Sequence, residues 1–293
     1  MPADHCPHTQ QSLNHPPKNI LQHATSLHGR SVSREIVSWR ERSETLSICA
    51  MFRLASVSQD SYSPPPSGSA IFCHGFAMKF PAPNATTHLF LVRHGATSAN
   101  ERQPYVLQGK GVDLPLSENG QRQAAAVGRL LAEFRIHQVF ASPLVRARQT
   151  AAAIASPHGL SVNTIDELHE CDVGEWEGLD WNTIHQRDPE AARKFLDRPG
   201  DFPYLGGESY RDTLDRVRPA ICGLLERCVG QNIVIVAHNV VNRVFLAHLL
   251  GTDLNHAKGI PQSNGAVNFL RYHSAQTVVT SLNSVLHLDE MPL

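Results

Sequence analysis

The most constraining feature of the chain is a short apolar run that ends in two functional side chains. Leu89 to Val92 are four consecutive apolar residues, and Arg93, His94 and Gly95 follow them directly. The run is too short for a helix and too apolar for a surface loop, so it predicts a β-strand buried on both faces. In open α/β sheets, ligands bind at the carboxyl ends of such strands. The sequence therefore predicts an anion pocket there, with His94 available as a nucleophile.

Composition argues against several classes of protein. Lys and Arg total 26 against 27 Asp and Glu, so no overall field favours nucleic acid or an anionic membrane as a partner. The six cysteines are irregularly spaced without a CxxC pair, which disfavours a zinc site or a disulfide framework and suits a reducing compartment. No apolar run approaches membrane-spanning length, and the start lacks the pattern of a secretory signal. We therefore expect a cytoplasmic protein.

Residues 1–84 differ in character from the rest of the chain. They are rich in Ser, Pro, His and Gln, and they include the linker-like run Pro64–Ser69. Such a segment cannot bury enough apolar area to offset its ordering entropy. We expect residues 1–84 to be a disordered extension, or a mis-assigned start with the product beginning at Met78. An organellar transit peptide is a third interpretation, which the acidic residues disfavour. Residues 85–293 are expected to form the folded domain.

From residue 85 onward, strand and helix patterns alternate. Core strands are predicted at Val139–Ser142 and Ile233–Ala237, with a strand nearer an edge at Val162–Leu168 and a closing pair of strands at Val267–Arg271 and Val278–Leu282. Helices are predicted after the N-cap Ser117, with Pro143 in the first turn of the next one, near Pro189–Leu196, from Ser209 in a capping box with Asp212, and over Val240–Leu250. This alternation indicates a three-layer α/β/α sandwich with a mostly parallel sheet.

Three later segments repeat the arrangement of the first. Ser142–Arg146 places an arginine in the first turn of a helix after a core strand. Leu168–Glu170 places a carboxylate just past a strand end, and Val234–Asn239 places His238 at a strand-to-helix junction. Because parallel strands end at one edge of a sheet, we expect two arginines, two histidines and one glutamate around a single hollow.

This set of side chains suits phosphoryl transfer. Two fixed guanidiniums match the oxygens of a phosphoryl group and neutralise its charge. One imidazole can attack phosphorus while the second donates a hydrogen bond to an equatorial oxygen. A glutamate can protonate the leaving alcohol oxygen and later activate water. No metal or other cofactor is required, and the motifs of cysteine phosphatases, aspartyl phosphatases and P-loop enzymes are absent from the sequence.

The chain resembles the histidine phosphatase superfamily, which includes cofactor-dependent phosphoglycerate mutase. The resemblance covers roughly residues 88–282 and rests on segments that match in order and spacing: Leu91–Thr97 with Asn100, Leu114–Gly120, Ala141–Ala147, Gly174–Gly178 and Gly206–Ser209. It implies the α/β sandwich of that family, with a small helical cap near residues 172–206.

The resemblance also implies roles for individual residues. His94 would form the phosphohistidine, Glu170 would be the proton donor, and the phosphoryl group would be held by Arg93, Arg146 and His238. The implied substrate-binding set is Asn100, Gln108, Gly109 and Asn239, the last standing where many members of the family have glycine.

Departures from the mutases favour the phosphatase branch of the family. Ala99-Asn100 and Gly109-Lys110-Gly111 replace tryptophan-containing elements, and the long helical insertion after Glu170 is lacking. The resemblance therefore implies hydrolysis of a small phosphorylated metabolite through a phosphohistidine. The alternatives are mutase-type phosphoryl transfer and an inactive member that binds phosphorylated ligands or protein partners. An inactive member should have lost at least one of the five ionisable residues named above, and this chain retains all five. The substrate and a homodimeric state stay open.

Overall fold

A computed structural model describes residues 85–288 of the 293-residue chain. The predicted extension over residues 1–84, with the start at Met78, lies outside the described residues, so the domain boundary stays a prediction. No helix in the described range is both long and apolar enough to cross a membrane.

One mixed sheet organises residues 85–288. Its strands, in the spatial order β3-β2-β4-β1-β5-β6, are β1 Thr87–Arg93, β2 Gln138–Ala141, β3 Val162–Thr164, β4 Asn232–Ala237, β5 Val267–His273 and β6 Gln276–Ser284. The first four strands in that order run parallel, whereas β5 is antiparallel to both β1 and β6. The predicted α/β class with a mostly parallel sheet is confirmed.

The α-helices of the described range are α1 Ser98–Glu101, α2 Glu118–Ala132, α3 Val145–Ala155, α4 Trp181–Arg187, α5 Pro189–Asp197, α6 Tyr210–Arg227 and α7 Asn239–Leu250. Short 3₁₀ turns cover Ser156–His158, Asp166–Leu168, Gly174–Trp176, Leu254–Gly259 and Leu286–Leu288. Ser117 caps α2, and Ser209 forms the predicted capping box with Asp212 at the start of α6. Helix α3 begins two residues after Pro143, which therefore precedes its first turn.

Alternation along β1 separates the two faces of the sheet. Leu89 and Leu91 pack into one apolar cluster with residues of α6 and α7. Phe90 and Val92 point the other way, into a second cluster with residues of α2 and α3. All four side chains are buried, so β1 is covered on both faces as its unbroken apolar run predicts. The protein therefore has the predicted three layers.

The predicted strand Val162–Leu168 is wrong beyond its third residue. Strand β3 ends at Thr164, opposite Ala141, the last residue of its partner β2. One more backbone bond, from the Ile165 N–H to the Ala141 carbonyl at 2.9 Å, ends the pairing, and Asp166 and Glu167 are poor strand formers. The chain turns into a 3₁₀ helix instead, so Glu170 follows this turn rather than a strand end.

A small helical cap lies within residues 172–206, as the resemblance implied. Its centre is Trp176, which is fully buried and contacts the rings of Trp181, Phe195 and Tyr204 at centroid distances near 6 Å. The indole Nε1 donates to Asp188 at 2.8 Å, so the polar end of the ring is also satisfied.

The loop after β1 packs tightly on the start of α2. A Cβ atom added to Gly120 would lie 1.9 Å from the carbonyl oxygen of Ala96, and one added to Gly95 would lie 2.3 Å from the carbonyl oxygen of Gly120. Both contacts are with backbone, which cannot move aside as a side chain can. Since Gly95 directly follows His94, this contact also holds the histidine in place.

We predict that Gly120→Ala destabilises the protein by roughly 1–3 kcal/mol, because the added methyl group overlaps backbone. The matched control is Gly223→Ala in α6, where the nearest atom to the new Cβ is the flexible Arg227 side chain at 3.3 Å. That change should leave stability unaltered or raise it by up to about 1 kcal/mol through helix propensity. Urea unfolding of both variants measures the difference; equal stability of the two variants would show that the contact is not restrictive.

Candidate active site

The ends of two adjacent parallel strands bring two histidines together. Arg93, the last residue of β1, is in register with Ala237, the last residue of β4. The backbone N–H of His94 donates to the Ala237 carbonyl at 3.1 Å, which extends the pairing by one residue. As a result the rings of His94 and His238 lie side by side, with centroids 5.0 Å apart.

The next strand adds an arginine to the same edge. Strand β2 pairs with β4 and is followed by α3, whose first turn carries Arg146. Its side chain is only 1% exposed. Nη1 donates to the carbonyl of Val112 at 3.0 Å and Nη2 to that of Gly109 at 2.9 Å, while Asp113 lies 3.9 Å from Nη1. These contacts fix the plane of the guanidinium before any ligand binds.

Arg93 is held from the opposite side by a buried amide network. Its Nη1 donates to the carbonyl of Gln262. The Gln262 side chain in turn exchanges hydrogen bonds with Asn268 on β5 and accepts one from Asn242 on α7. Burial lowers the pKa of both Arg93 and Arg146, and the charge of Glu170 opposes this effect on each. An arginine remains charged under any such shift, so the site holds two permanent cations.

The side chain of Glu170 lies against the N-terminus of α7, and its charge acts on the guanidiniums of Arg93 and Arg146. Its Oε1 accepts from the N–H of Cys171 at 2.9 Å. Its Oε2 accepts from the N–H of Val240 at 3.3 Å, in the first turn of α7, where the N-cap His238 supplies no side-chain bond. A carboxylate in this position satisfies free helix N–H groups and complements the helix dipole.

The turn that carries Glu170 is anchored by Arg216 on α6. Its Nη1 donates to the carbonyls of Glu167 and His169, at 2.6 and 2.9 Å, and its Nη2 to that of Glu170 at 3.3 Å. Arg216 also forms an ion pair with Glu208 at 2.7 Å. This anchor replaces the strand end that the sequence predicted in front of Glu170.

The protonation state of His94 follows from its partners. Nδ1 lies 2.6 Å from the carbonyl oxygen of Gly95, and a carbonyl can only accept, so Nδ1 carries the proton. Nε2 therefore presents a lone pair, and it has no hydrogen-bond partner among residues 85–288. Burial, followed by the charges of Arg146 and Arg93, lowers the pKa of His94 well below its usual value of about 6.5. A neutral imidazole with a free Nε2 is a competent nucleophile.

His238 has the complementary arrangement. Its Nε2 lies 2.7 Å from Oγ of Ser142. The only other hydrogen bond of this Oγ atom in the described range is one that it accepts from Leu144 N–H. Because the serine proton has no other acceptor within residues 85–288, we assign it to the bond with Nε2, which leaves the ring proton on Nδ1. That atom is buried and has no partner within residues 85–288. Burial and the charge of Arg146 also lower the pKa of His238 well below its usual value, so the ring is a neutral donor.

The four residues expected to bind substrate differ in what they contact. Gln108 and Asn239 line a cavity that reaches Glu170. Gly109 contributes its carbonyl to Arg146. Asn100 is committed to the protein through Oδ1, which accepts from Thr97 and from Asn264, and Asn264 also donates to the carbonyl of His94.

Sequence reasoning assigned no role to several side chains near the site. Ser142 lies in Ala141–Ala147, one of the segments that carry the family resemblance. Its bond to His238 could not be predicted, because it depends on the pairing of β2 with β4. Arg243 and Lys258 line the same cavity, as does Tyr105. Arg243 lies four residues after Asn239 on α7, a spacing that puts the two side chains on one helix face and so gives a weak sequence signal. The positions of Tyr105 and Lys258 carry none.

Comparisons with known proteins identify the family of the chain. The sequence profile of the histidine phosphatase superfamily (branch 1) matches residues 89–285. Phosphoserine phosphatase 1 of Hydrogenobacter thermophilus is 31% identical over 202 residues, which cover 69% of this chain and 94% of that protein.

Two solved structures are similar to the chain at 27% identity. One is a phosphoserine phosphatase from Entamoeba histolytica in complex with 3-phosphoglyceric acid, with a TM-score of 0.63 and coverage of 69% of this chain and 99% of the other. The second is a mycobacterial glucosyl-3-phosphoglycerate phosphatase, with a TM-score of 0.61 and coverage of 68% and 99%.

The six-stranded mixed sheet with helices on both faces is an α/β fold that the chain shares with these two solved phosphatases. The chain belongs to the histidine phosphatase superfamily. Its similarity to proteins named as phosphatases identifies it as a phosphatase.

We predict that the imidazole of His94 is neutral and protonated on Nδ1 at pH 6, where an ordinary histidine is mostly charged. Histidine ¹⁵N NMR on the unliganded protein reports this directly. In Arg146→Met, the loss of a neighbouring positive charge should move the titration midpoint of His94 upward. A midpoint at or above 6.5 in the unaltered protein would contradict the assignment.

Proposed function

We propose that this phosphatase hydrolyses a small phosphorylated metabolite through a phosphohistidine on Nε2 of His94. The observation that carries the proposal is the state of that ring: its proton is committed to Gly95, and its free nitrogen lies among two fixed guanidiniums and a neutral histidine donor. The relative bound to 3-phosphoglyceric acid and those named as phosphatases support a small phosphorylated ligand.

In the first step, Nε2 of His94 attacks phosphorus and the bond from phosphorus to the alcohol oxygen breaks. Glu170, which the reaction requires in its carboxylic acid form once the phosphoryl anion is bound beside it, gives its proton to that oxygen, so the alcohol leaves neutral. Arg93 and Arg146 neutralise the phosphoryl oxygens, and Nδ1–H of His238 donates to one of them as charge moves.

In the second step, water attacks the phosphohistidine and the phosphorus–nitrogen bond breaks. Glu170, now a carboxylate, takes a proton from the water and returns to its starting form. Inorganic phosphate leaves, and His94 is again neutral with its proton on Nδ1. In this proposal Gln108 and Asn239 border the leaving group, Gly109 fixes Arg146, and Asn100 supports the backbone of His94 through Asn264.

We predict that His94→Ala abolishes hydrolysis of p-nitrophenyl phosphate. Rapid acid-free quenching and mass spectrometry should find a phosphoryl group on the peptide containing His94 in the unaltered protein and none in the variant. His256→Ala, which changes an exposed histidine, is the matched control and should retain full turnover. Undiminished activity of His94→Ala would refute the site.

We predict that Glu170→Gln lowers kcat for an alkyl phosphate by about 10²–10⁴-fold, because an alkoxide is a poor leaving group without a proton. Turnover of p-nitrophenyl phosphate should fall much less, since its leaving group needs no protonation. Equal losses on both substrates would remove Glu170 from the acid role. Assays of the unaltered protein also separate the mutase alternative, which requires stimulation by a bisphosphorylated primer instead of release of free phosphate.

A further inference from the structure

The cavity beside the proposed catalytic residues is small and carries extra positive charge. Its volume is about 210 Å³, below the roughly 300–1,000 Å³ of pockets for drug-sized ligands, so it suits a leaving group of few atoms. Glu170 lies in its wall and links it to the proposed phosphoryl site. Two cations that take no part in the proposed reaction, Arg243 and Lys258, also line it.

Lys258 lacks a counterion in the part of the chain that the structure covers. Of the three lysines in residues 85–288, Lys110 pairs with Asp172 and Lys194 pairs with Glu190, both at 2.8 Å. The Nζ atom of Lys258 is buried without a hydrogen-bond partner and lies 4.4 Å from the centre of the Phe195 ring. A cation–π contact offsets only part of the cost of burying an ammonium group.

Arg243 is oriented toward the same space. Its Nε donates to the carbonyl of Ile260 at 2.9 Å, which holds the side chain in place. No carboxylate within residues 85–288 forms an ion pair with it. Two cations therefore line the same cavity, and neither forms an ion pair with a carboxylate of the described range. Burial, followed by the charge of Arg243, lowers the pKa of Lys258 to about 8. Like charges placed this way are unfavourable unless an anion joins them.

We propose that Arg243 and Lys258 form a subsite for a second anionic group on the alcohol part of the substrate. The inference rests on the proposed function, since Arg93 and Arg146 are assigned there to the phosphoryl group and are unavailable for a second anion. Glu170, between the two sites, is placed to protonate the oxygen that joins the phosphoryl group to the anionic leaving group. Carboxylate and phosphate share the required chemistry, and the choice of substrates below separates them.

The test compares 3-phosphoglycerate with glycerol 3-phosphate, which carries an alcohol in place of the carboxylate. The unaltered protein should prefer 3-phosphoglycerate in kcat/KM, mainly through a lower KM. Lys258→Met should reduce that preference by about 10- to 100-fold, the usual effect of losing a hydrogen bond to a charged group. Lys258→Arg should keep most of the preference, and Lys194→Met, a matched change on an exposed lysine of the cap, should keep all of it.

A third substrate identifies the anion. If glycerol 1,3-bisphosphate is preferred over 3-phosphoglycerate and the preference is lost in Lys258→Met, the subsite takes a phosphate; the reverse order assigns a carboxylate. No preference for either anionic substrate in the unaltered protein, or an equal effect of Lys258→Met on all three substrates, would overturn the subsite. Failure of the unaltered protein to turn over p-nitrophenyl phosphate would overturn the proposed function instead.

A pH profile of the unaltered protein tests the subsite without any substitution. Above about pH 8, loss of the Lys258 proton should raise KM for 3-phosphoglycerate while KM for glycerol 3-phosphate stays level. The other titratable groups lining the cavity are Glu170, Arg243 and three tyrosines, Tyr105, Tyr204 and Tyr210. Burial raises the pKa of each tyrosine above its usual value, so they remain protonated in this range. Parallel profiles for the two substrates would contradict the proposal.

Discussion

The site depends above all on the parallel pairing of β1 with β4. That pairing puts the last residues of the two strands in register, so the histidine that follows each strand lies beside the other. A shift of one residue would turn the side chains of β1 to the opposite faces and separate the two rings. The apolar residues of β1 pack on both faces of the sheet, so the core that stabilises the fold also sets the position of His94.

Around this pair, burial and fixed charge give each group a distinct state. Two guanidiniums held by backbone carbonyls stay charged, and their field, with burial, keeps both imidazoles neutral. The Gly95 carbonyl and the Ser142 hydroxyl then hold both rings in the Nδ1–H tautomer but occupy different nitrogens, which leaves the Nε2 lone pair free on His94 and the Nδ1–H free on His238. In the proposed reaction, a site built this way is organised for a tetrahedral anion before the anion arrives, and such preorganisation is the main source of electrostatic catalysis.

Much of the fold follows from local pattern in the sequence. The strands β1 and β4 are unbroken apolar runs, and the caps at Ser117 and Ser209 are local hydrogen bonds, so each can be predicted from neighbouring residues. The strand before Glu170 could not be bounded, because its end depends on where its partner β2 stops. For the same reason the bond from Ser142 to His238 and the place of Lys258 beside the cavity arise only from tertiary contacts. The catalytic roles of Arg93, His94, Arg146, Glu170 and His238 are predictions.

The central claim is that a tetrahedral phosphoryl group is held against Nε2 of His94 by the residues at this one edge of the sheet. A crystal structure with vanadate, which mimics the transferring phosphoryl group, tests it most directly. The account predicts a vanadium–nitrogen bond to Nε2, with the equatorial oxygens contacted by Arg93, Arg146 and Nδ1 of His238. Vanadate bound elsewhere, or bound at this edge through Nε2 of His238 with His94 uninvolved, would contradict it.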